Sequence, residues 1–379
     1  MLYNLINALI LQKYFVGLLK ILFALSVAFT AIRTFGRTDI LKGEIMAKLT
    51  QKENFLRVVR GEMPEYVPVS GAQGPLMTMF DSSVMGDFRG PKGGKDPWGV
   101  PFVTNEETGF AAIPEPNNFI LKDITEWRDV IKLPPMEDID WELAAQRDKD
   151  KLKINPENTL FTIGGYADLF QQFIGMMGFT EGLCALFESP EDAEELFDFM
   201  NQYCMYISKN ILDYYKPEGY YLLDDSATQL QPFISVEMFE RFFVPRYKKC
   251  LDMAVERDIP IFYHNCGRCE DLLPPMVEIG VNVWDPAQVE NDLVAVKERF
   301  GRKLVINGGY EYRMPATWPN VDEEEVRQTV RDTFAKLAPN GGYVFSGRVK
   351  SMERNDPDVQ RVNGWILDEA IKLSETMYK

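Results

Sequence analysis

The sequence is poor in the residues that most often bind metals or form disulfides. It holds a single histidine, His264, and five cysteines in 379 residues. An odd number of cysteines in so long a chain excludes a disulfide scaffold, and a reducing cytoplasmic compartment is the simpler interpretation. Three of the cysteines fall in apolar, helix-like patterns and read as small hydrophobic residues. Cys266 and Cys269 are therefore the pair that is placed for ligation or redox work.

Positive charge is also scarce. Fifty-seven acidic residues against 41 basic ones give a formal net charge of −16. Such a chain repels phosphate backbones, so binding to nucleic acid is disfavoured. No Gly-x-Gly-x-x-Gly motif follows a strand-like segment, which weakens a dinucleotide-binding alternative. With 46% hydrophobic and 12% aromatic residues, the composition is that of a folded protein with ample core material.

Residues 1–45 differ from the rest of the chain. Residues 14–32 are an almost unbroken apolar run, interrupted by Lys20, of about the 20 residues needed to span a bilayer. This segment is either a membrane anchor or the product of a mis-called start, with translation beginning at Met46. Arg33 and Arg37 follow the run, so an anchored chain would keep its remainder in the cytoplasm. Residues 46–379 are expected to form the folded domain.

A repeated unit organises the chain from residue 155 onward. Short apolar or β-branched runs end in small or polar residues, and a helical pattern follows each of them. Strands that alternate with helices indicate a parallel sheet, and this many units favours a closed (β/α)8 TIM barrel over an open sheet. The predicted strands are residues 160–163, 220–223, 259–263, 281–284, 303–306 and 342–345.

The repeated pattern lapses between Ser70 and Asn155, where the sequence is rich in glycine and proline. We expect the segment from Ser70 to Asn155 to be an elaboration at the N-terminal side of the barrel that covers the barrel mouth, with a hairpin over residues 101–114. An ordinary surface insertion would have the same composition.

Polar residues follow the predicted strands. In a TIM barrel the reactive groups lie at the carboxyl ends of the strands, so these residues are the candidates for chemistry. Neighbouring residues of an extended strand point to opposite sides, so at most one of Asp224 and Asp225 can enter a site. The other would cap the following turn. The candidate catalytic residues are Asp224, Asp225, Asp285 and Asn307, and Gly308 lets the backbone approach a ligand closely.

The lone histidine lies directly after a predicted strand, in Tyr263-His264-Asn265-Cys266-Gly267-Arg268-Cys269. Side chains two residues apart at the end of a strand project the same way, and an imidazole beside a thiol suits a soft metal such as zinc. His264 and Cys266 are thus candidate metal ligands, and Cys269 is a third because of its Cys-x-x-Cys spacing. The alternative is a buried histidine beside two core-filling cysteines.

Several short motifs occur in combination along the chain. They are Asn54-Phe55-Leu56-Arg57, Gly61-Glu62-Met63-Pro64, Val67-Pro68-Val69, Asp96-Pro97-Trp98-Gly99-Val100, Asp224-Asp225-Ser226-Ala227-Thr228-Gln229, Phe233-Ile234-Ser235, Pro245-Arg246-Tyr247, His264-Asn265-Cys266-Gly267 and Asp285-Pro286-Ala287-Gln288. With them, the chain from about Met46 to its end resembles the uroporphyrinogen decarboxylase superfamily, in particular its corrinoid-dependent methyltransferase branch. Any one motif is weak, whereas the combination is specific.

For the methyltransferase branch, the resemblance implies a TIM barrel and a zinc ion held by a His-x-Cys pair and a later cysteine. His264 and Cys266 match the pair, but Ser346 stands where the later cysteine is expected. A serine hydroxyl is a poor zinc ligand. Either Cys269 replaces it, or a carboxylate completes the site, or no zinc binds. The carboxylate candidates are Asp224, Asp225 and Glu311.

The resemblance also implies transfer of a methyl group between a small donor and a corrinoid carried by a partner protein. A methyl ether is the favoured donor, by O-demethylation. An aromatic ether is preferred because rings near the proposed mouth could stack on it, namely those of Trp98, Phe102, Tyr166, Phe170, Trp284 and Tyr310. The candidate substrate-binding residues are Trp98, Tyr166, Gln229 and Gly308.

The decarboxylase branch would imply a different site, with arginines of an early Arg-x-x-Gly-Arg segment binding the carboxylates of a tetrapyrrole. That segment is absent, and Ser70-Gly71-Ala72-Gln73-Gly74-Pro75 stands in its place. A site without those cations could not easily hold a polycarboxylate. Tetrapyrrole decarboxylation and a non-catalytic barrel subunit are the alternatives to methyl transfer.

Overall fold

The computed structural model describes residues 49–105, 111–351, 353 and 355–379. The two interpretations of residues 1–45, an anchor or a mis-called start, lie outside the described residues. Within them, no helix is both long enough and apolar enough to cross a membrane.

The described residues alternate between strands and helices after residue 160. The strands are β1 (Gly94–Lys95), β2 (Pro101–Val103), β3 (Ile113–Pro114), β4 (Thr162–Gly164), β5 (Gly219–Leu223), β6 (Ile261–His264), β7 (Val281–Ala287), β8 (Val305–Tyr312) and β9 (Tyr343–Val349). The helices are α1 (Gln51–Val59), α2 (Trp127–Val130), α3 (Trp141–Leu152), α4 (Leu169–Met177), α5 (Phe179–Glu188), α6 (Pro190–Asn210), α7 (Val236–Phe242), α8 (Val244–Val255), α9 (Leu273–Glu278), α10 (Leu293–Phe300), α11 (Glu323–Leu337) and α12 (Pro357–Thr376).

Strands β4 to β9 form one parallel sheet in chain order. Each of them overlaps one of the six predicted runs, so the predicted parallel sheet is confirmed. The helical period is confirmed as well, for example in α11, whose residues Val326, Val330, Phe334 and Leu337 are all buried. Runs of β-branched and aromatic residues form these strands because parallel strands are covered on both faces.

Two extended segments complete the barrel. Val69 pairs in parallel with Phe345 of β9, and Met77 pairs in parallel with Leu160, just before β4. Together with the six strands, these segments give the (β/α)8 TIM barrel that the sequence predicts. The prediction that residues 70–155 are all elaboration is therefore wrong for residues 76–80. This run was missed because it is short and because the helix that precedes the next barrel strand, α3, begins only at Trp141.

The rest of that segment is an elaboration. Strands β1, β2 and β3 form a small antiparallel sheet, with Phe102 opposite Pro114 and Val103 opposite Ile113, which confirms the predicted hairpin. The sheet lies beside the helix that follows β4, because the indole of Trp98 donates a hydrogen bond to Gln172 of α4, at 2.7 Å.

The interior of the barrel is built in layers of inward-facing side chains. One apolar layer includes Tyr221, Phe262, Val283, Val305 and Val344 from strands β5 to β9, packed against Phe55, Val58 and Val59 of α1. Because side chains alternate along a strand, the next inward layer lies two residues further on. That layer consists of Leu223, His264, Asp285, Asn307 and Ser346. Apart from Leu223, the carboxyl ends of the strands therefore carry polar side chains directly above an apolar layer.

Candidate metal centre at the barrel mouth

Three side chains with metal-binding atoms converge above the interior layer. One ligand atom each of Asp225, His264 and Cys266 lies within 4.8 Å of the other two. His264 Nε2 is 3.3 Å from Cys266 Sγ and 3.7 Å from Asp225 Oδ1. A nitrogen, a sulfur and a carboxylate oxygen form a donor set that zinc accepts, and three protein ligands leave a tetrahedral ion with one open position. The residues present thus fit the implied metal.

The loops after β5 and β6 are tied together, and this brings the three side chains to one point. The Cys266 amide donates a hydrogen bond to Asp225 Oδ1, at 2.6 Å. Ser226 and Asn265 exchange two further hydrogen bonds, from the Ser226 amide to Asn265 Oδ1 and from Asn265 Nδ2 to Ser226 Oγ. The carboxylate of Asp225 is therefore positioned from one loop and the thiol of Cys266 from the other.

Gly267 allows the second loop to turn back immediately after Cys266. Its φ is +88°, and a Cβ atom at this position would lie 2.3 Å from the carbonyl oxygen of Thr228. Since that oxygen belongs to backbone, no side-chain movement could relieve the clash. The same carbonyl accepts a hydrogen bond from the Arg268 amide, at 2.8 Å.

The other imidazole nitrogen, Nδ1, contacts side chains of the two neighbouring strands, β5 and β7. His264 Nδ1 lies 3.1 Å from Asp285 Oδ1 and 3.1 Å from the Tyr221 hydroxyl. The Tyr221 hydroxyl donates to the same Asp285 oxygen, at 2.6 Å, and Asn307 Nδ2 donates to the other oxygen, at 3.4 Å. An Nδ1–H···carboxylate bond leaves Nε2 with its lone pair toward Cys266 and Asp225, as in carboxylate-histidine-metal arrangements.

These contacts determine the direction in which the pKa values of His264 and Tyr221 are shifted. Burial lowers the pKa of His264, but the hydrogen bonds with Asp285 and Cys266 outweigh it and raise the pKa to about 10. Burial and the neighbouring Asp285 raise the pKa of Tyr221, so its hydroxyl stays a donor. These contacts therefore favour the protonated form of the imidazole.

Two other residues that the sequence offered as ligands or catalysts lie outside this group. Asp224 is fully buried and accepts hydrogen bonds from the amides of Phe170 and Gln171, at 2.8 and 3.0 Å, and from the Tyr247 hydroxyl. It therefore caps the start of α4. Cys269 is also fully buried, and its thiol donates to the Asn265 carbonyl, at 3.4 Å. Burial raises the pKa of this thiol, which opposes its use as a thiolate ligand.

The candidate substrate-binding residues are dispersed. Gln229 is exposed and donates a hydrogen bond to Glu290, at 2.6 Å. The indole N–H of Trp98 donates to Gln172 and so has its partner within the protein. Gly308 has φ +139°, and a Cβ atom there would lie 2.7 Å from the Ala287 carbonyl, so glycine is needed for strand packing. Tyr166 is buried, and its hydroxyl has no partner among the described residues.

The rings that the sequence suggested for stacking an aromatic donor are mostly core. Phe170 and Trp284 are fully buried, and Tyr310 donates its hydroxyl proton to, or accepts one from, Thr329. The residues that sequence reasoning missed are Tyr221 and Met79, whose sulfur lies 3.7 Å from the Tyr221 hydroxyl. Tyr221 reads as an ordinary strand aromatic, and only its position two residues before a strand end could have indicated an inward-facing hydroxyl.

Residues 122–347 match the profile of the family described as Uroporphyrinogen decarboxylase (URO-D). The chain belongs to this family. The matched region contains β4 to β8, most of β9 and all three side chains of the candidate metal centre. The candidate metal centre lies at the carboxyl ends of barrel strands, where TIM barrels carry their active sites.

Among solved structures, this member of the uroporphyrinogen decarboxylase family is similar to a methyltransferase from Methanosarcina mazei. The TM-score is 0.53 at 13% sequence identity, and the alignment covers 87% of this chain and 100% of the other. At that identity the likeness shows the fold. No protein of curated function matches the chain.

Proposed function

We propose that this chain is a metal-assisted methyltransferase that moves a methyl group between a small donor and a corrinoid carried on a partner protein. The observation that carries the proposal is the convergence of Asp225, His264 and Cys266 at the barrel mouth. The resemblance of the sequence to the corrinoid-dependent branch supports it. So does the similar solved structure, which is described as a methyltransferase.

The residues at the mouth suit the activation of an inert methyl donor. His264 would offer Nε2, Cys266 its thiolate and Asp225 a carboxylate oxygen to a zinc ion. When bound, such an ion supplies Lewis acidity to an ether oxygen, or lowers the pKa of an acceptor thiol when the transfer runs the other way. Asp285 and Tyr221 keep the imidazole in the orientation that ligation needs.

The proposed donor is a methyl ether, because an alkoxide is a poor leaving group and needs the help of a cation at its oxygen. The carbon–oxygen bond would break with its electron pair on oxygen, and the methyl group would pass to the reduced cobalt of the corrinoid, which would supply the pair for the new bond. A preference for an aromatic ether has little support, because Trp98, Phe170 and Trp284 are packed in the core. Met79, which is exposed next to Tyr221, is better placed to contact a small donor.

Tetrapyrrole decarboxylation is the second candidate, and membership of the family favours it. The charges at the mouth oppose it. Arg89 pairs with Asp168 and Asp81, and Arg313 pairs with Glu290 and Glu311. Cations that are already neutralised are poorly suited to hold a polycarboxylate substrate.

Methyl transfer is tested by incubating the full chain with a reduced corrinoid protein and a panel of methyl donors while the cobalt(I) absorbance is followed. We expect a donor-dependent loss of this absorbance that needs zinc and disappears in His264→Ala and Cys266→Ser. Cys184→Ser, which replaces an exposed thiol on α5, is the matched control and should retain activity. If no donor methylates cobalt(I) and no thiol demethylates methyl-cobalt, the proposal fails. Formation of coproporphyrinogen from uroporphyrinogen would establish the second candidate instead.

A further inference from the structure

A cleft lies at the end of the barrel opposite to the candidate metal centre. Its volume is about 780 Å³, and it is lined by residues at the end of α1, before β8 and between α11 and β9. Five basic side chains line it, those of Arg60, Lys297, Arg302, Lys303 and Lys336, whereas Glu298 is the acidic residue among the described lining residues. This concentration of positive charge contrasts with the formal net charge of −16.

None of the five cations forms a salt bridge with a described residue. Elsewhere on the same elements cations are paired, as Arg57 of α1 is with Glu62 and Arg327 of α11 is with Glu323. Unpaired cations held close together repel one another, which costs free energy unless an anion is present. The cleft is thus a surface whose charge has no partner within the described chain.

Two of these cations are anchored by backbone oxygens. Lys297 Nζ donates to the Gly341 carbonyl, at 2.5 Å, and Arg302 Nε donates to the Gly61 carbonyl, at 2.8 Å. Each contact uses one donor and leaves the remaining N–H groups available. Anchored side chains lose less conformational freedom when a ligand binds, so they favour binding.

The ends of helices explain only part of this charge. α1, α10 and α11 end beside the cleft, and each helix end carries about half a negative charge. These ends, together with Glu298, would offset about half of the five positive charges. The remainder calls for an external anion.

We propose that this cleft binds a small multivalent oxyanion. Its volume is in the range of small-molecule sites, which run from about 300 to 1,000 Å³. Guanidinium and ammonium groups bind phosphate and carboxylate oxygens alike. A long polyanion such as nucleic acid is disfavoured because the rest of the protein is acidic.

The proposal is tested by isothermal titration calorimetry of the full chain with inorganic pyrophosphate and with citrate, at pH 7 and low ionic strength. We expect saturable binding of at least one anion, in one copy per chain. Lys303→Gln combined with Lys336→Gln removes two exposed cleft cations, and we expect it to weaken binding about 20-fold. Tighter binding of pyrophosphate would assign polyphosphate chemistry to the site, and tighter binding of citrate would assign polycarboxylate chemistry.

The matched control combines Lys209→Gln with Lys248→Gln. Both residues are exposed and paired with aspartates on other helical surfaces, so the net charge changes equally while the cleft is intact. We expect less than a twofold effect on binding. His264→Ala should bind the anion as the unchanged chain does, which separates this site from the metal centre. Absence of saturable binding, or an equal loss in the cleft and control variants, would overturn the proposal.

Discussion

Oδ1 of Asp285 lies 3.1 Å from Nδ1 of His264 and accepts a hydrogen bond from the Tyr221 hydroxyl, at 2.6 Å. The single histidine of this chain is therefore oriented by the next strand of the barrel. Its Nε2 atom consequently faces Cys266 and Asp225 rather than the barrel wall. Asp285 is a positioning residue, and its effect on metal binding can be measured apart from catalysis.

Asp285→Asn should weaken zinc binding by about 10- to 100-fold, the usual effect of losing such a partner. The reason is that the amide can no longer hold Nδ1–H as a carboxylate does. Zinc affinity measured by competition with a chromogenic chelator checks this prediction. Asp129→Asn, which changes an exposed carboxylate on α2, serves as control and should leave the affinity unchanged. Equal affinities for the two variants would argue against the orienting role.

The adjacent residues Asp224 and Asp225 should give opposite phenotypes. Asp224→Ala leaves two backbone amides of α4 and a buried tyrosine hydroxyl without their acceptor, so the free energy of unfolding should fall by about 3 kcal/mol or more. Zinc content of its folded fraction should stay the same. Asp225→Ala should unfold at nearly the same urea concentration but lose most of its zinc affinity. Urea denaturation with metal analysis tests both, and a single shared phenotype would contradict the assignment.

The two cysteines of the Cys-x-x-Cys segment should also differ. Cys266→Ser should abolish stoichiometric zinc binding, because Sγ of Cys266 is one of the three converging ligand atoms. Cys269→Ala should retain one zinc per chain and lose about 1–2 kcal/mol of stability, because a buried side chain is shortened. Zinc bound per chain after dialysis is the measurement. Loss of zinc in Cys269→Ala with the fold intact would restore Cys269 as a ligand.

Ionisation of the Asp96 carboxyl should lower the free energy of unfolding as the pH rises. Burial raises its pKa to about 7 against the opposing hydrogen bonds from the amides of Val100 and Trp98. Below about pH 4 the carboxyl is protonated in both the folded and the unfolded chain, so it has no effect on stability. Between about pH 4 and 7 only the unfolded chain releases the proton, so the free energy of unfolding decreases with pH and is then constant above this range.

Asp96→Asn removes this titration. Relative to the unchanged chain, the variant should gain roughly 2–4 kcal/mol of stability when the pH is raised from 4 to 8. Thermal or urea unfolding at several pH values measures the difference, and Asp129→Asn should show no such trend. A constant difference between variant and unchanged chain across this range would refute the prediction.

Much of the barrel could be predicted from local sequence. The six runs from residue 160 onward form strands because β-branched and aromatic residues are favoured where both faces of a sheet are covered. The polar residues after these runs lie at one end of the barrel for a topological reason, since all strands of a parallel sheet end on the same side. The extended segment of residues 76–80 was not predictable in this way, because the small antiparallel sheet separates it from α3, the helix before β4.

The membership of the candidate site depended on tertiary contacts. The alternation of side chains allows only one of Asp224 and Asp225 to face the mouth, but hydrogen bonds from α4 and from Cys266 select which one. The same holds for Tyr221, which is an ordinary strand aromatic in the sequence and contacts the imidazole in the fold. The basic cleft could not be predicted from the sequence for a similar reason. Its cations come from separate parts of the chain, and only the packing of three helix ends brings them together.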